Sequence, residues 1–159
     1  MNKYLAELLG TFILVGIGSL AILSSDGSVV VISFGFGLAL LVGIYSFGDL
    51  CGAHFNPAVT LAMLLKKDTN TSDLIGYWIA QIAGAVLASS LVAYASNTDA
   101  VAGTRTRSSV GLDGVEVFVL EAILTAIFVI VILRSVADKP NAAPIAISLG
   151  LVAIHLAAV

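Results

Sequence analysis

The sequence predicts an all-α membrane protein in which an inverted repeat of helices contains a re-entrant half-helix. Hydrophobic residues make up 59% and charged residues 11% of the 159 residues, whereas soluble domains carry about 25% charged residues. Five long apolar runs alternate with polar segments, and a shorter apolar run begins with an Asn-Pro pair. A Glu-x-x-x-Thr pattern also occurs once in each half of the chain. These three observations together predict the fold.

Each long apolar run is predicted to be a transmembrane helix, since about 20 apolar residues cross a bilayer as a helix. The runs cover residues 4–23, 29–48, 74–95, 115–134 and 143–159, the last one cut short. A secretory signal peptide is an alternative for the first run, but Glu7 lies inside it and its apolar length exceeds that of a typical signal sequence. An uncleaved first helix is therefore favoured.

The positive residues predict the orientation of these helices. Most Lys and Arg residues fall on one side of the predicted topology and the rest on the other: Lys3, Lys66, Lys67, Arg134 and Lys139 against Arg105 and Arg107. Positive residues are enriched in cytoplasmic loops. We therefore expect a multi-pass protein of the plasma membrane with a cytoplasmic N-terminus.

Charge and composition argue against several functional classes. The net charge is −3 and the positive residues are scattered, so we expect no nucleic-acid partner. Cys51 is the only cysteine and cannot form an internal disulfide. The two histidines are isolated, without a nucleophile-base pair or a ligand cluster. We therefore expect no enzymatic activity, no catalytic residue, no metal site and no cofactor.

The short apolar run is predicted to be a re-entrant half-helix. Residues 49–67 must enter and leave the membrane on the same side, because the helices before and after them already need both faces. The ten residues from Pro57 to Lys66 span roughly 15 Å at about 1.5 Å each, half of a hydrocarbon core of about 30 Å. The non-helical segment 51–55 then lies at membrane depth, where backbone must be buried in protein or line a water-filled cavity. The short helix therefore implies a cavity.

The first residues of the half-helix predict a polar site in that cavity. Pro57 suits the first helical position, and Asn56 suits the N-cap, where its side-chain oxygen accepts from a backbone N–H. The Asn56 amide NH2 is then free to donate, beside the roughly half-unit positive charge of the helix N-terminus. A neutral molecule with an oxygen lone pair is favoured there, and a cation is repelled. An ordinary capped helix is the alternative, which membrane depth disfavours.

The two Glu-x-x-x-Thr patterns predict an internal repeat. Glu7 pairs with Thr11, and Glu121 pairs with Thr125 at an offset of 114 residues. An ionisable residue within a membrane helix costs at least about 2.5 kcal/mol, so two at matched places suggest a shared role. A chance match of two short patterns is the alternative, and the half-helix favours the repeat over it. Three helices precede the second copy, so the copies are inverted.

The predicted domain organisation follows from this repeat. A single transmembrane channel domain covers 1–159, with a first repeat at about 1–95, a connector at 96–114 and the start of a second repeat at about 115–159.

These motifs resemble the aquaporin or major intrinsic protein family. The residues that carry the resemblance are Ala-Glu-x-x-Gly-Thr-Phe at 6–12, Gly-x-His-Phe-Asn-Pro-Ala-Val-Thr at 52–60 and Glu121. The resemblance covers the whole chain. It implies a right-handed bundle of six tilted helices with two half-helices meeting at Asn-Pro-Ala motifs, assembled as a homotetramer in the lipid bilayer with one pore per subunit. It also implies passive, single-file passage of water with exclusion of protons and ions.

The resemblance also assigns roles to single residues. Asn56, Pro57 and Ala58 look like the first pore motif, with His54 and Phe55 as its flanking loop.

The resemblance assigns roles to four more residues. Phe36 and His155 look like the selectivity constriction of water-selective members, since glycerol-conducting members carry a small residue in place of this histidine. Glu7 and Glu121 look like buried glutamates that hold the backbone of the loops.

One departure from the family pattern leaves the function open. The 114-residue offset predicts a partner of Asn56 near position 170, beyond Val159, so the second half-helix, the arginine that follows it and the sixth helix do not occur in these residues. A water channel is the favoured function. A channel for glycerol or small neutral solutes and a non-conducting, truncated membrane subunit are the alternatives.

Overall fold

The computed structural model describes residues 1–96, 98–104, 114–138 and 140–158. Helices are the only regular elements in these residues. They are α1 (Lys3–Ser24), α2 (Val29–Cys51), α3 (Pro57–Leu65), α4 (Thr71–Ala95), α5 (Thr98–Gly103), α6 (Gly114–Asp138) and α7 (Ala143–Ala158). Four of them, α1, α2, α4 and α6, are long and apolar enough to cross a membrane, and α7 is a shorter apolar helix. The prediction of an all-α membrane protein is confirmed.

Local capping explains where several of these helices begin and end. Asn2 accepts a hydrogen bond from the backbone N–H of Tyr4 at the start of α1, and Asn70 accepts one from Asp73 at the start of α4. The helix α2 ends at Cys51, and its C-cap Gly52 has a φ of 79°, the left-handed conformation that glycine adopts most readily. These caps satisfy backbone groups that have no partner within a helix.

The observed helices follow the predicted runs closely, with one addition. The predicted connector, 96–114, contains the short helix α5. Three of the positive residues used to predict orientation, Arg105, Arg107 and Lys139, lie outside the described residues. The half-helix α3 ends at Leu65, with Lys66 as its C-cap, one residue before the predicted end.

The helix α1 organises the bundle around the half-helix. It packs against α4 and α2, while α2 also packs against α7, and α7 against α6. The approach of α1 to α4 is close, because a Cβ atom on Gly84 would overlap with the carbonyl oxygen of Leu8. The half-helix α3 contacts α4 and α6. The half-helix therefore contacts helices from both predicted repeats.

The surface of the bundle is largely apolar. Large hydrophobic side chains are exposed on the four long helices and on α7, among them Leu38, Ile79, Phe118 and Leu149. In water such a surface would be unfavourable, whereas hydrocarbon chains of lipid cover it without cost. Among the buried polar side chains, Glu7, Thr60 and Gln81 form hydrogen bonds at the half-helix and the turn before it.

Candidate pore site

The turn that leads into the half-helix has an unusual backbone. Gly52, Ala53 and Phe55 all have positive φ angles, of 79°, 51° and 47°. A positive φ is uncommon for a residue other than glycine, and each such residue costs about 1–3 kcal/mol unless the surroundings impose it. Two of these three residues carry a Cβ atom. The turn therefore needs strong contacts with the rest of the molecule.

Glu7 on α1 supplies the main contact that holds the turn. Its Oε1 accepts a hydrogen bond from the backbone N–H of His54 at 2.8 Å, and its Oε2 accepts one from Phe55 at 2.7 Å. A third donor, Nε2 of Gln81 on α4, lies 2.8 Å from the same Oε2. Glu7 is 0% exposed. The backbone N–H groups of His54 and Phe55 are thus satisfied by a buried carboxyl group rather than by water.

Gln81 extends this network to the half-helix. Its Nε2 also donates to Oγ1 of Thr60 at 2.9 Å, so both of its amide hydrogens are used. The Thr60 hydroxyl donates to the backbone oxygen of Asn56 at 3.1 Å and lies 3.3 Å from Nδ1 of His54. A chain of hydrogen bonds therefore connects α1, α4 and the first turn of α3.

Two further donors on α4 hold the backbone on either side of the turn. The Tyr77 hydroxyl donates to the carbonyl oxygen of Cys51 at 2.8 Å. The Trp78 indole N–H donates to the carbonyl oxygen of Pro57 at 3.1 Å. Side chains of α4 therefore bind the chain at Cys51, at Pro57 and, through Gln81, at Thr60. These contacts hold both the turn and the first turn of α3 against α4.

Phe55 anchors the turn through packing. Its side chain is buried and fills the space beside Gly10 of α1 and Gly43 of α2, where added Cβ atoms would meet the ring. An aromatic ring of this size contributes a large apolar area to the core. Its place against two glycines explains how so bulky a residue is held with a positive φ.

Asn56 caps the half-helix. Its Oδ1 accepts a hydrogen bond from the backbone N–H of Ala58 at 2.8 Å, and Pro57 occupies the first helical position. The Nδ2 group of Asn56 donates to none of the described residues. Asn56 is only half-buried. The amide hydrogens therefore remain available to a molecule beside the N-terminus of α3.

The structure also brings Phe36 and His155 together, at the contact of α2 with α7. Their rings are stacked, with centroids 4.5 Å apart and an interplanar angle of 19°. Nδ1 of His155 lies 3.0 Å from the backbone oxygen of Leu151. A carbonyl oxygen can only accept, so Nδ1 carries a hydrogen in this contact and Nε2 of the neutral ring is an acceptor.

The turn and the aromatic pair lie at different levels of the bundle. Phe55 packs on Gly10 and Phe36 packs on Gly18, both on α1. These two glycines are separated along α1 by about 12 Å, from a rise of about 1.5 Å per residue. The structure therefore contains two distinct groups of polar and aromatic side chains rather than a single site.

The predicted burial of Glu121 against a loop is not found within the described residues, and it stays a prediction. Glu121 is exposed on α6, and so are several of its neighbours on that helix. The described part of the predicted second repeat contains no turn comparable to 52–56 whose N–H groups could donate hydrogen bonds to this carboxyl group. The matched motif therefore occupies two different environments.

Sequence reasoning missed the residues on α4 and Thr60. The sequence could have pointed to Gln81, because an amide side chain within a long apolar run is costly to bury without a hydrogen-bond partner. Tyr77 and Trp78 carried no such signal, since aromatic residues with polar groups are common near membrane surfaces.

The chain is similar to known proteins in both sequence and fold. A family model described as Major intrinsic protein matches residues 1–159. Glycerol uptake facilitator protein-like 6 of Lactiplantibacillus plantarum is 44% identical over 138 residues, 84% of this chain, and the matched part spans 63% of that relative. Aquaporin Z of Brucella melitensis is 39% identical over 176 residues, covering 100% of this chain and 77% of the relative.

A solved structure supports the same assignment. The X-ray structure of the aquaglyceroporin from Plasmodium falciparum superimposes with a TM-score of 0.81 and 26% identity, covering 98% of this chain and 69% of the other. This likeness confirms the predicted fold class, an aquaporin-like bundle.

Proposed function

Since this chain belongs to the major intrinsic protein family of membrane channels, we propose that it conducts water passively across a lipid bilayer. Water is the permeant, and no cofactor or chemical step is involved. The observation that carries the proposal is the arrangement of Asn56. A free amide group stands at the N-terminus of a half-helix that is bound into the protein by buried hydrogen bonds.

The mechanism follows from the electrostatics of this position. The N-terminus of α3 carries a partial positive charge of about half a unit. A water oxygen accepts from the Asn56 amide, so that the molecule is oriented as it passes. Cations and hydronium are disfavoured by the same charge, which is the physical basis of ion exclusion by half-helices in channels.

The stacked pair of Phe36 and His155 is the proposed selectivity constriction. A phenyl and an imidazole ring in contact leave little room for a solute larger than water. Nε2 of His155 is an acceptor that can take a hydrogen from a passing molecule. A permeating molecule is therefore selected by size at the aromatic pair and by charge at Asn56.

The assembly and location belong to the same proposal. We propose a homotetramer in the plasma membrane, with one pore in each subunit and the N-terminus in the cytoplasm. The excess of positive residues near the ends of α3 and α6 supports the orientation. The apolar surface supports close association with lipid or with other subunits.

Passage of glycerol is the second candidate function. The support comes from the names of similar proteins, because one relative is called a glycerol uptake facilitator and the superimposed structure is that of an aquaglyceroporin. His155 argues in the other direction, since the resemblance noted above places a small residue there in glycerol-conducting members. Water is therefore preferred, and the glycerol rate decides between the two.

Stopped-flow light scattering of vesicles tests the proposal. Vesicles that contain the protein are mixed with an impermeant osmolyte or with glycerol, and their volume is followed. We expect fast shrinkage in the impermeant osmolyte and slow re-swelling in glycerol. Fast re-swelling in glycerol supports the second candidate, and shrinkage no faster than that of empty vesicles supports a non-conducting subunit.

The Asn56→Asp variant tests the role of the amide. It keeps the cap oxygen but replaces the NH2 donor by a second oxygen, so the partial positive charge is opposed. We expect water passage to persist while the vesicles become leaky to cations, measured with an entrapped pH-sensitive dye. A variant as tight to cations as the wild type contradicts the proposed exclusion mechanism.

A further inference from the structure

We propose that Gly18 on α1 is a positioning residue that sets the place of the Phe36 ring, and thereby the width of the passage at the Phe36–His155 pair. The inference rests on the proposed function, because it concerns the proposed constriction. Gly18 is buried and acts through Phe36 rather than on the permeant.

The Phe36 ring occupies the space that a side chain at position 18 would need. A Cβ atom on Gly18 would overlap with three ring atoms of Phe36, namely Cδ1, Cε1 and Cζ. Carbon atoms that are not bonded to each other approach favourably to about 3.5–4.0 Å. Glycine is therefore the only residue that leaves the ring where it stands.

A close contact next to Phe36 opposes the separation of α1 and α2 that would make room for a larger residue. Gly35, next to Phe36 in the chain, lies so close to α1 that a Cβ atom on it would overlap with Cβ of Ala21. Ala21 follows Gly18 by about one helical turn. Because separating α1 and α2 would open this contact, we expect an added methyl group at position 18 to be accommodated by movement of the Phe36 ring.

His155, the other residue in contact with the Phe36 ring, is also held in place. One face of Phe36 stacks on His155, and Nδ1 of His155 is tied to the backbone oxygen of Leu151. A ring that is pushed away from α1 therefore leaves the stack and turns into the passage. The predicted consequence is a narrower passage and a lost ring contact.

The Gly18→Ala variant tests this inference, with Gly16→Ala as the matched control. Both substitutions add one methyl group at a buried position of α1, but a Cβ atom on Gly16 would lie 3.7 Å from Cβ of Ala88, an ordinary contact. We expect Gly18→Ala to lower the osmotic water permeability of vesicles several-fold and Gly16→Ala to leave it unchanged. Adding Phe36→Leu to Gly18→Ala shortens the crowded side chain and should restore most of the permeability.

Histidine-ring NMR gives a readout that does not depend on transport. The chain has two histidines, and His54 contacts Tyr77 rather than Phe36, so its signals serve as an internal reference. We expect the upfield ring-current shift of His155 to disappear in Gly18→Ala and to persist in Gly16→Ala.

The two measurements separate failure of this inference from failure of the proposed function. If the His155 shift and the permeability are the same in both variants, Gly18 does not position Phe36. If wild-type vesicles shrink no faster than empty ones, the proposed function fails, while the His155 shift still decides whether Gly18 positions the ring.

Discussion

The two copies of the Glu-x-x-x-Thr pattern both lie in long apolar helices, yet their glutamates have different environments. Glu7 is 0% exposed and accepts three hydrogen bonds, two of them from the turn before the half-helix. Glu121 is exposed on α6. The difference teaches that the acid alone does not create a polar core in a membrane helix. A turn that presents unsatisfied N–H groups is needed as well, because those groups provide the partners that make burial of the acid favourable.

The largest expected effect comes from removing the buried acid. Glu7→Leu leaves the N–H groups of His54 and Phe55 without an acceptor, and each buried unsatisfied donor costs about 1–3 kcal/mol, so we expect a loss of about 2–6 kcal/mol in the free energy of unfolding. Thermal unfolding in detergent, followed by circular dichroism, measures this loss. Glu7→Gln keeps one acceptor oxygen and should fall between the wild type and Glu7→Leu. Equal stability of all three proteins would show that the turn is held by other contacts.

A smaller loss of stability is expected from removing the hydrogen bond between Trp78 on α4 and Pro57. Trp78→Phe keeps an aromatic ring but loses the N–H that donates to Pro57, and a hydrogen bond of this kind contributes about 0.5–1.5 kcal/mol. We expect a modest fall in Tm together with lower water permeability. The exposed neighbour Ile79 provides the control, since Ile79→Phe changes the lipid-facing surface without touching α3. If Ile79→Phe lowers Tm as much as Trp78→Phe, the effect belongs to the surface and not to the hydrogen bond.

The smallest effect is expected at the second copy of the motif. Glu121→Leu replaces an exposed residue, and such substitutions change stability by no more than about 0.5 kcal/mol. The same unfolding experiment therefore compares the two copies directly. A loss as large as that of Glu7→Leu would mean that Glu121 has a buried partner in the assembled protein, as the family resemblance implies, and the contrast between the two copies would disappear.

The parts of the fold that could be predicted are those encoded locally. The Asn56-Pro57 pair marks the start of α3, and the end of its apolar run before Lys66 marks its end. The long helices follow from apolar length alone. The positive φ of Phe55 had no local signal, because a bulky residue disfavours that conformation and distant contacts with Glu7, Gly10 and Gly43 impose it.

The candidate site was predictable only in part, for a related reason. The family resemblance pointed to Phe36 and His155, and the structure brings their rings into contact. The roles of Gln81 and Thr60 depend on which helix faces the half-helix, which a single sequence does not specify. The environment of Glu121 likewise depends on what packs against α6, and the sequence pattern carries no information about that.

The turn at 52–56 also has a consequence for biosynthesis. Its acceptor, Glu7, and the two glycines that receive Phe55 all precede it in the chain, whereas Tyr77, Trp78 and Gln81 follow it. A ribosome therefore delivers the receiving surface first, the strained turn second and the securing helix last. We expect the nascent turn to dock on α1 and α2 while the translocon still holds the growing chain, and to become locked only when α4 has emerged.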